Sequence, residues 1–156
     1  MKRRHSVLFE QLHTYRRELL GMVEGVSEVE SKIIPNGFNN TIQWNLGHVL
    51  VDQYLWIRAL TKEEMPISMK FNEWFGYGSK PSDFTNETPT VSQLIAMLKE
   101  QPFIIQEKYQ DRMEEEFPPT DMGMYTIEQV LIRTIFHEGI HLSTIREIKR
   151  KLKNRI

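Results

Sequence analysis

His137 and His141 stand four residues apart in a segment, residues 135–148, whose apolar side chains recur at helical spacing. On a helix, residues four apart project from one face one turn apart, so both imidazoles can converge on a single ion. Two ligands do not complete a site, and the best candidate for a third, His48, lies far upstream in another helical segment. The pattern therefore demands a fold that lays the last helix against an earlier one.

Apolar periodicity and cap signals delimit the helices available for this. The first spans about 3–24, where Leu8, Leu12, Tyr15, Leu19, Met22 and Val26 alternate steps of four and three and form one stripe. A short helical turn and a loop closed by Pro35-Asn36-Gly37 follow. The second helix is expected from Asn40, an N-cap with Gln43 three residues on, to about Leu60, with Trp44, His48, Val51 or Asp52, and Leu55 on one side. The third opens at Thr90 with Gln93, carries Val91, Leu94, Ile95, Leu98, Ile105 and Tyr109 inward, and contains Pro102, which is expected to kink it. Glu114-Glu115-Glu116 reads as its solvated end, with a carboxylate ligand from that run disfavoured. The last helix begins at Thr126 with Gln129 and turns Ile127, Leu131, Thr134, Glu138, His141, Ile145, Ile148 and Leu152 to one stripe. Its cationic tail, 149–155, complements the helix dipole.

Residues 61–89 hold no sustained period and scatter Phe71, Trp74, Phe75, Tyr77 and Phe84 among prolines and glycines. A connection of that length suits a crossover between parallel helices, with the aromatics pinning it to the bundle or lining a substrate pocket. The expectation is an all-α, single-domain four-helix bundle over 1–156, in up-down-down-up order, with the long crossover loop between helices two and three. Inward residues of the second and fourth helices then face each other, as a His48, His137, His141 site requires.

Composition removes several classes of function. The formal net charge of -1 argues against a nucleic-acid partner, which would call for a basic face. No cysteine is present, so disulfides, thiolate ligands and a cysteine nucleophile are excluded and any site uses N and O donors. Met1-Lys-Arg-Arg-His5 is followed by no apolar core of a signal peptide, and no segment approaches the roughly 20 apolar residues of a membrane span. The expectation is a cytoplasmic protein without a membrane partner. His5 on the edge of the first stripe and His13 off it read as surface or supporting histidines, and Asp52 as a group that orients an imidazole or is solvated.

His137-Glu138-Gly139-Ile140-His141 also fits the metalloprotease pattern H-E-x-x-H, in which the glutamate activates water. Only fifteen residues follow His141, and they offer neither the G-x-x-H extension nor a later glutamate on another helix. Glu138 is better read as a residue that supports the site or the bundle.

Three motifs in order carry a family resemblance: Thr41-Ile42-x-Trp44-x-Leu46-Gly47-His48, then Trp74-Phe75-Gly76-Tyr77-Gly78-Ser79, then His137-x-x-x-His141. Over nearly the whole chain the sequence resembles the DinB-like (DinB/YfiT) family of metalloenzymes. The resemblance implies an up-down-down-up four-helix bundle, one divalent metal on His48, His137 and His141, and a homodimer. It also implies chemistry like that of relatives that act as S-transferases or isomerases with a low-molecular-weight thiol such as bacillithiol or mycothiol. Many members follow the last histidine with Arg-Gly-Gln, where this chain has Leu142-Ser143-Thr144.

Three neutral imidazoles leave coordination positions open, which suits zinc, nickel, iron or manganese in a catalytic setting. The leading expectation is a metal-dependent enzyme of the thiol-dependent S-transferase kind acting on a small-molecule substrate, with residues 74–79 roofing the site. The alternatives are a metal-dependent hydrolase and a bundle that binds metal or ligand without catalysis. Apolar residues outside the stripes, Val7, Phe9, Phe103 and Ile104, point to association as a homodimer.

Overall fold

The computed structural model describes residues 1–154; Arg155, at the end of the cationic tail, lies outside the described residues. Among these residues the chain is all-helical: α1 Arg3–Met22, α2 Glu28–Ser31, α3 Ile42–Thr61, α4 Lys70–Phe75, α5 Val91–Tyr109 and α6 Ile127–Lys153, with one 3-10 turn at Pro81–Asp83. None of the helices is long and apolar enough to cross a membrane.

Local chemistry sets most of the helix starts. Thr90 and Thr126 each accept from the backbone N–H three residues on, while Gln93 and Gln129 reach back to the cap N–H, so both capping boxes form. The start of α3 differs by one residue from the sequence expectation. Thr41, not Asn40, is the cap, accepting from Trp44 N at 3.0 Å. Gln43 is thereby freed to enter the core, where its Nε2 donates to the Pro89 carbonyl at 2.7 Å and fastens the start of α3 to the entrance of α5.

Fourteen of the twenty residues of α3 are buried, so this helix is surrounded rather than amphipathic. It packs against α4, α5 and α6, while α1 packs against α5 and α6. The inward face of α1 is His5, Leu8, Phe9, Leu12, Arg16 and Leu19; Tyr15, placed on the stripe by periodicity alone, is 40% exposed. Phe9 likewise belongs to the core rather than to a surplus outer face.

A guanidinium takes the place periodicity gave to an aromatic because α5 offers it a vacant carbonyl. Pro102 has no N–H to return to Leu98, four residues back, so that carbonyl is unpaired within the helix. Arg16 Nη1 donates to it at 2.6 Å and to Gln101 Oε1 at 3.0 Å. The rest of the fork meets Glu138, with Nε on Oε1 at 2.7 Å and Nη2 on Oε2 at 3.1 Å. Gln101 continues to the Leu50 carbonyl at 2.8 Å, and Gln53 bridges Arg16 to Thr134 Oγ1. This buried network joins α1, α3, α5 and α6 through groups that satisfy one another, the condition under which a charge pair is tolerable inside a core.

The 61–89 connection is more ordered than its composition suggests. Its centre is α4, which buries Phe71, Trp74 and Phe75 against α3. Phe75 is fully buried, and removing such a side chain from water stabilises a fold by about 1.5–3 kcal/mol.

Candidate metal centre

The three histidines singled out by spacing come together. His48 stands two turns into α3, and His137 and His141 project from the facing side of α6. Their Nε2 atoms converge: His137 Nε2 lies 3.3 Å from that of His48 and 3.2 Å from that of His141. The rings crowd one another with centroids 4.5–5.0 Å apart.

Each ring is fixed from behind by a different acceptor. His48 Nδ1 donates to the Phe75 carbonyl at 2.6 Å, and a carbonyl can only accept, so the proton sits on Nδ1. His137 Nδ1 faces Asp52 Oδ2 at 3.0 Å. His141 Nδ1 meets Asn45 Oδ1 at 2.7 Å; the Asn45 amide is oriented by its own Nδ2, which donates to the Thr41 carbonyl at 2.8 Å. All three Nδ1 atoms therefore carry protons, and in the neutral rings all three lone pairs lie on the converging Nε2 atoms.

The electrostatics favour the neutral ring at His48 and at His141. Burial, reinforced by the neighbouring His48 and His137, pushes His141 down to about 3. Burial likewise lowers His48, against the opposing pull of the Phe75 carbonyl and Asp52. Burial alone would raise Asp52, but the hydrogen bond from His137 and the charge of Arg133 outweigh it, so Asp52 is held as a carboxylate below its usual range. Arg133 pairs with the same Asp52 oxygen, Oδ2, that faces His137, and lies over the Trp56 ring at 4.6 Å.

Three lone pairs aimed at one point repel unless a cation lies between them. Nitrogens bound tetrahedrally at about 2.0–2.1 Å are roughly 3.3–3.4 Å apart, close to the separations here. The donor set thus fits a divalent ion, and His48, His137 and His141 form a group that could hold one.

Two neighbouring features hold this arrangement. Gly47 lets α4 approach: a Cβ there would fall 2.2 Å from the Phe75 ring. On the other side of His48, Trp44 stacks on the imidazole at 4.6 Å and 11° and anchors its own Nε1 on Ser79 Oγ at 2.9 Å. A cleft of about 530 Å³ opens beside His48 and His137, bordered by Asp52, Trp56, Asn72, Tyr77 and Arg133. Trp74, expected to roof the site, is instead a core residue packed on Phe71 and Phe75. Tyr77, fully exposed, stands at the rim.

Glu138, the glutamate of the H-E-x-x-H string, turns away from the histidines into its pair with Arg16. His13 meets Gln106 Oε1 at 2.8 Å, and His5 lies buried at the far end of α1, both apart from the cluster. Asn45 and the Phe75 carbonyl escaped sequence reasoning. Asn45 left one trace, a polar side chain within a turn of His48 on the same helix; a backbone carbonyl leaves none.

The fold and this cluster define a helical protein with a histidine-only candidate metal centre. The family model of the DinB superfamily matches residues 11–145, and the chain belongs to that superfamily. A comparison with curated proteins finds no match.

Proposed function

We propose that the chain holds one divalent metal ion on His48, His137 and His141 and is a metal-dependent enzyme of the thiol-dependent S-transferase kind. The observation that carries the reading is the acceptor that the fold places against each of the three Nδ1 atoms, which keeps the ring proton there and aims every Nε2 lone pair at one point. Three protein ligands leave positions for substrate, and an ion held there supplies Lewis acidity that favours the thiolate form of a bound thiol.

The chain's own residues do the rest. Asp52 orients His137 and, with Arg133, balances charge at the cleft wall. Trp44 and Trp56 exclude water on two sides, and the cleft volume suits a small-molecule substrate. The engagement of Glu138 with Arg16 weighs against a protease-like hydrolase that would use it as general base.

The reading includes the up-down-down-up bundle of α1, α3, α5 and α6. It is supported by cross-helix contacts. Arg4 to Glu128 and Arg16 to Glu138 run in one sense along α1 and α6. Asn45 to His141 and Gln53 to Thr134 run oppositely along α3 and α6. Gln43 to Pro89 and Tyr109 to Glu63 run in one sense along α3 and α5. A homodimer is also part of the reading, supported by exposed Ile132, Phe136 and Ile140 along α6.

Elemental analysis should find a divalent metal that His48→Ala, His137→Ala and His141→Ala each strip from this site. Titrating a low-molecular-weight thiol into the cobalt-substituted protein should then give sulfur-to-metal charge-transfer absorption. A cobalt spectrum unchanged by thiol would overturn the transferase reading while leaving the metal centre standing.

A further inference from the structure

A second group of possible ligands gathers at the opposite end of α1. His5 stands in the first turn of α1, Glu128 in the first turn of α6, and Glu114 in the segment that follows α5. One ligand atom from each lies within 4.8 Å of the others. His5 is only 4% exposed, yet its Nε2 has no hydrogen-bond partner. The atom points toward Glu128 Oε2, which at 3.6 Å is beyond hydrogen-bond reach. Buried polar atoms are rarely left so, and an unpaired imidazole nitrogen facing two carboxylates has the chemistry of a cation site missing its cation.

The neighbouring cations do not close the site. Arg4 Nε takes Glu128 Oε1 at 2.8 Å and its Nη2 reaches Oε2 only at 3.3 Å, a long bond that leaves His5 Nε2 still unpaired beside that oxygen. Lys2 and Arg4 both pair with Glu114, but their side chains are 59% and 51% exposed, and exposed pairs of this kind contribute little. A divalent ion can displace Lys2 at small cost.

We propose that His5, Glu114 and Glu128 form a second divalent-cation site, one imidazole and two carboxylates. Such a mixed N and O set suits zinc. The site clamps the start of α1 to the start of α6 and to the segment behind α5. It stands independently of the histidine triad.

Equilibrium dialysis of the full chain against zinc, with elemental analysis, reads both sites at once. The parent should hold two zinc ions per chain, and His5→Gln and Glu128→Gln one each. His48→Ala should also hold one, and His48→Ala combined with His5→Gln none. Should His5→Gln fail to fold by circular dichroism, Glu114→Gln at the half-exposed position gives the same measurement. Lys2→Ala should tighten the second zinc severalfold by removing its competitor. A His5→Gln protein that keeps two ions, or a parent whose only zinc survives His5→Gln and is lost on His48→Ala, would overturn the proposal. A weaker second site in Lys2→Ala would also count against it.

Discussion

The ring of Phe75 occupies the space in which a Cβ on Gly47 would stand, 2.2 Å from its nearest ring atom. The contact lets α4 lie close enough for the Phe75 carbonyl to receive His48 Nδ1. Gly47→Ala should therefore force α4 outward and release the His48 ring. Overpacking of this kind costs about 1–3 kcal/mol, and losing the orienting partner of a ligand costs about 10–100-fold in metal affinity. Chemical denaturation and metal titration of the same variant check both, and unchanged metal affinity would refute the link between Gly47 and the ligand.

Asn45 isolates the orienting effect without the packing. Replacing it by Leu fills a similar volume but leaves His141 Nδ1 without an acceptor, so the ring can turn its proton inward. Metal affinity should fall by about 10–100-fold. Asn45→Asp keeps an acceptor and should retain tighter binding than Asn45→Leu; the reverse order by competition titration would discard the tautomer argument.

The lowered histidines give the metal-free protein a pH signature. His141 titrates at about 3 when folded, against an ordinary value of 6.5, and His48 is lowered in the same sense. Between those limits the unfolded chain binds more protons than the folded one, so stability falls as pH falls through the window. Above it the contribution is constant. The slope approaches about 1.4 kcal/mol per pH unit for each such group. Urea midpoints of the chelator-treated protein from about pH 7.5 down to about pH 4.5 should follow this course, and His141→Gln should flatten it.

The sequence makes some levels of this structure legible and hides others. Spacing and cap signals locate the four long helices and put His137 and His141 on one face, because helical period and cap chemistry are local; joining His48 to them is a long-range relation that the sequence offers only through the order of its motifs and the family they resemble. The start of α3 shifts from Asn40 to Thr41 because both residues can cap and only packing chooses: with Thr41 as cap, Gln43 reaches Pro89. Arg16 is invisible to a hydrophobic stripe, since its burial depends on a carbonyl that Pro102 vacates on another helix. The inward turn of Trp74 and outward turn of Tyr77 depend on how α4 seats on α3, and a scatter of aromatics in a long connection does not encode it.

The Arg16 and Glu138 pair separates a structural role from a protease-like one. Both side chains are about 2% exposed, so removing one partner strands a buried charge. Arg16→Ala should cost about 3–5 kcal/mol, and Arg16→Met combined with Glu138→Leu less than that single change. Glu138→Gln should lower stability while leaving metal content at the histidine triad intact. If Glu138→Gln left stability unchanged and abolished a hydrolytic activity, Glu138 would be a general base after all.

Trp74 and Tyr77, three residues apart, should answer differently to the same truncation. Trp74 is 6% exposed and packs edge-on against Phe71 and Phe75, so Trp74→Ala opens a core cavity. Its cost should be about 3–5 kcal/mol, with metal binding weakened only as α4 loosens behind His48. Tyr77 is fully exposed at the cleft rim and can lay its ring on a bound ligand. Tyr77→Ala should leave the unfolding midpoint within about 0.5 kcal/mol of the parent, the range of ordinary surface changes. With a substrate in hand it should raise KM more than it lowers kcat, because a rim contact acts on binding and not on the group that reacts. A Tyr77→Ala enzyme with parental KM would place the substrate elsewhere in the cleft, on the Trp56 and Arg133 side.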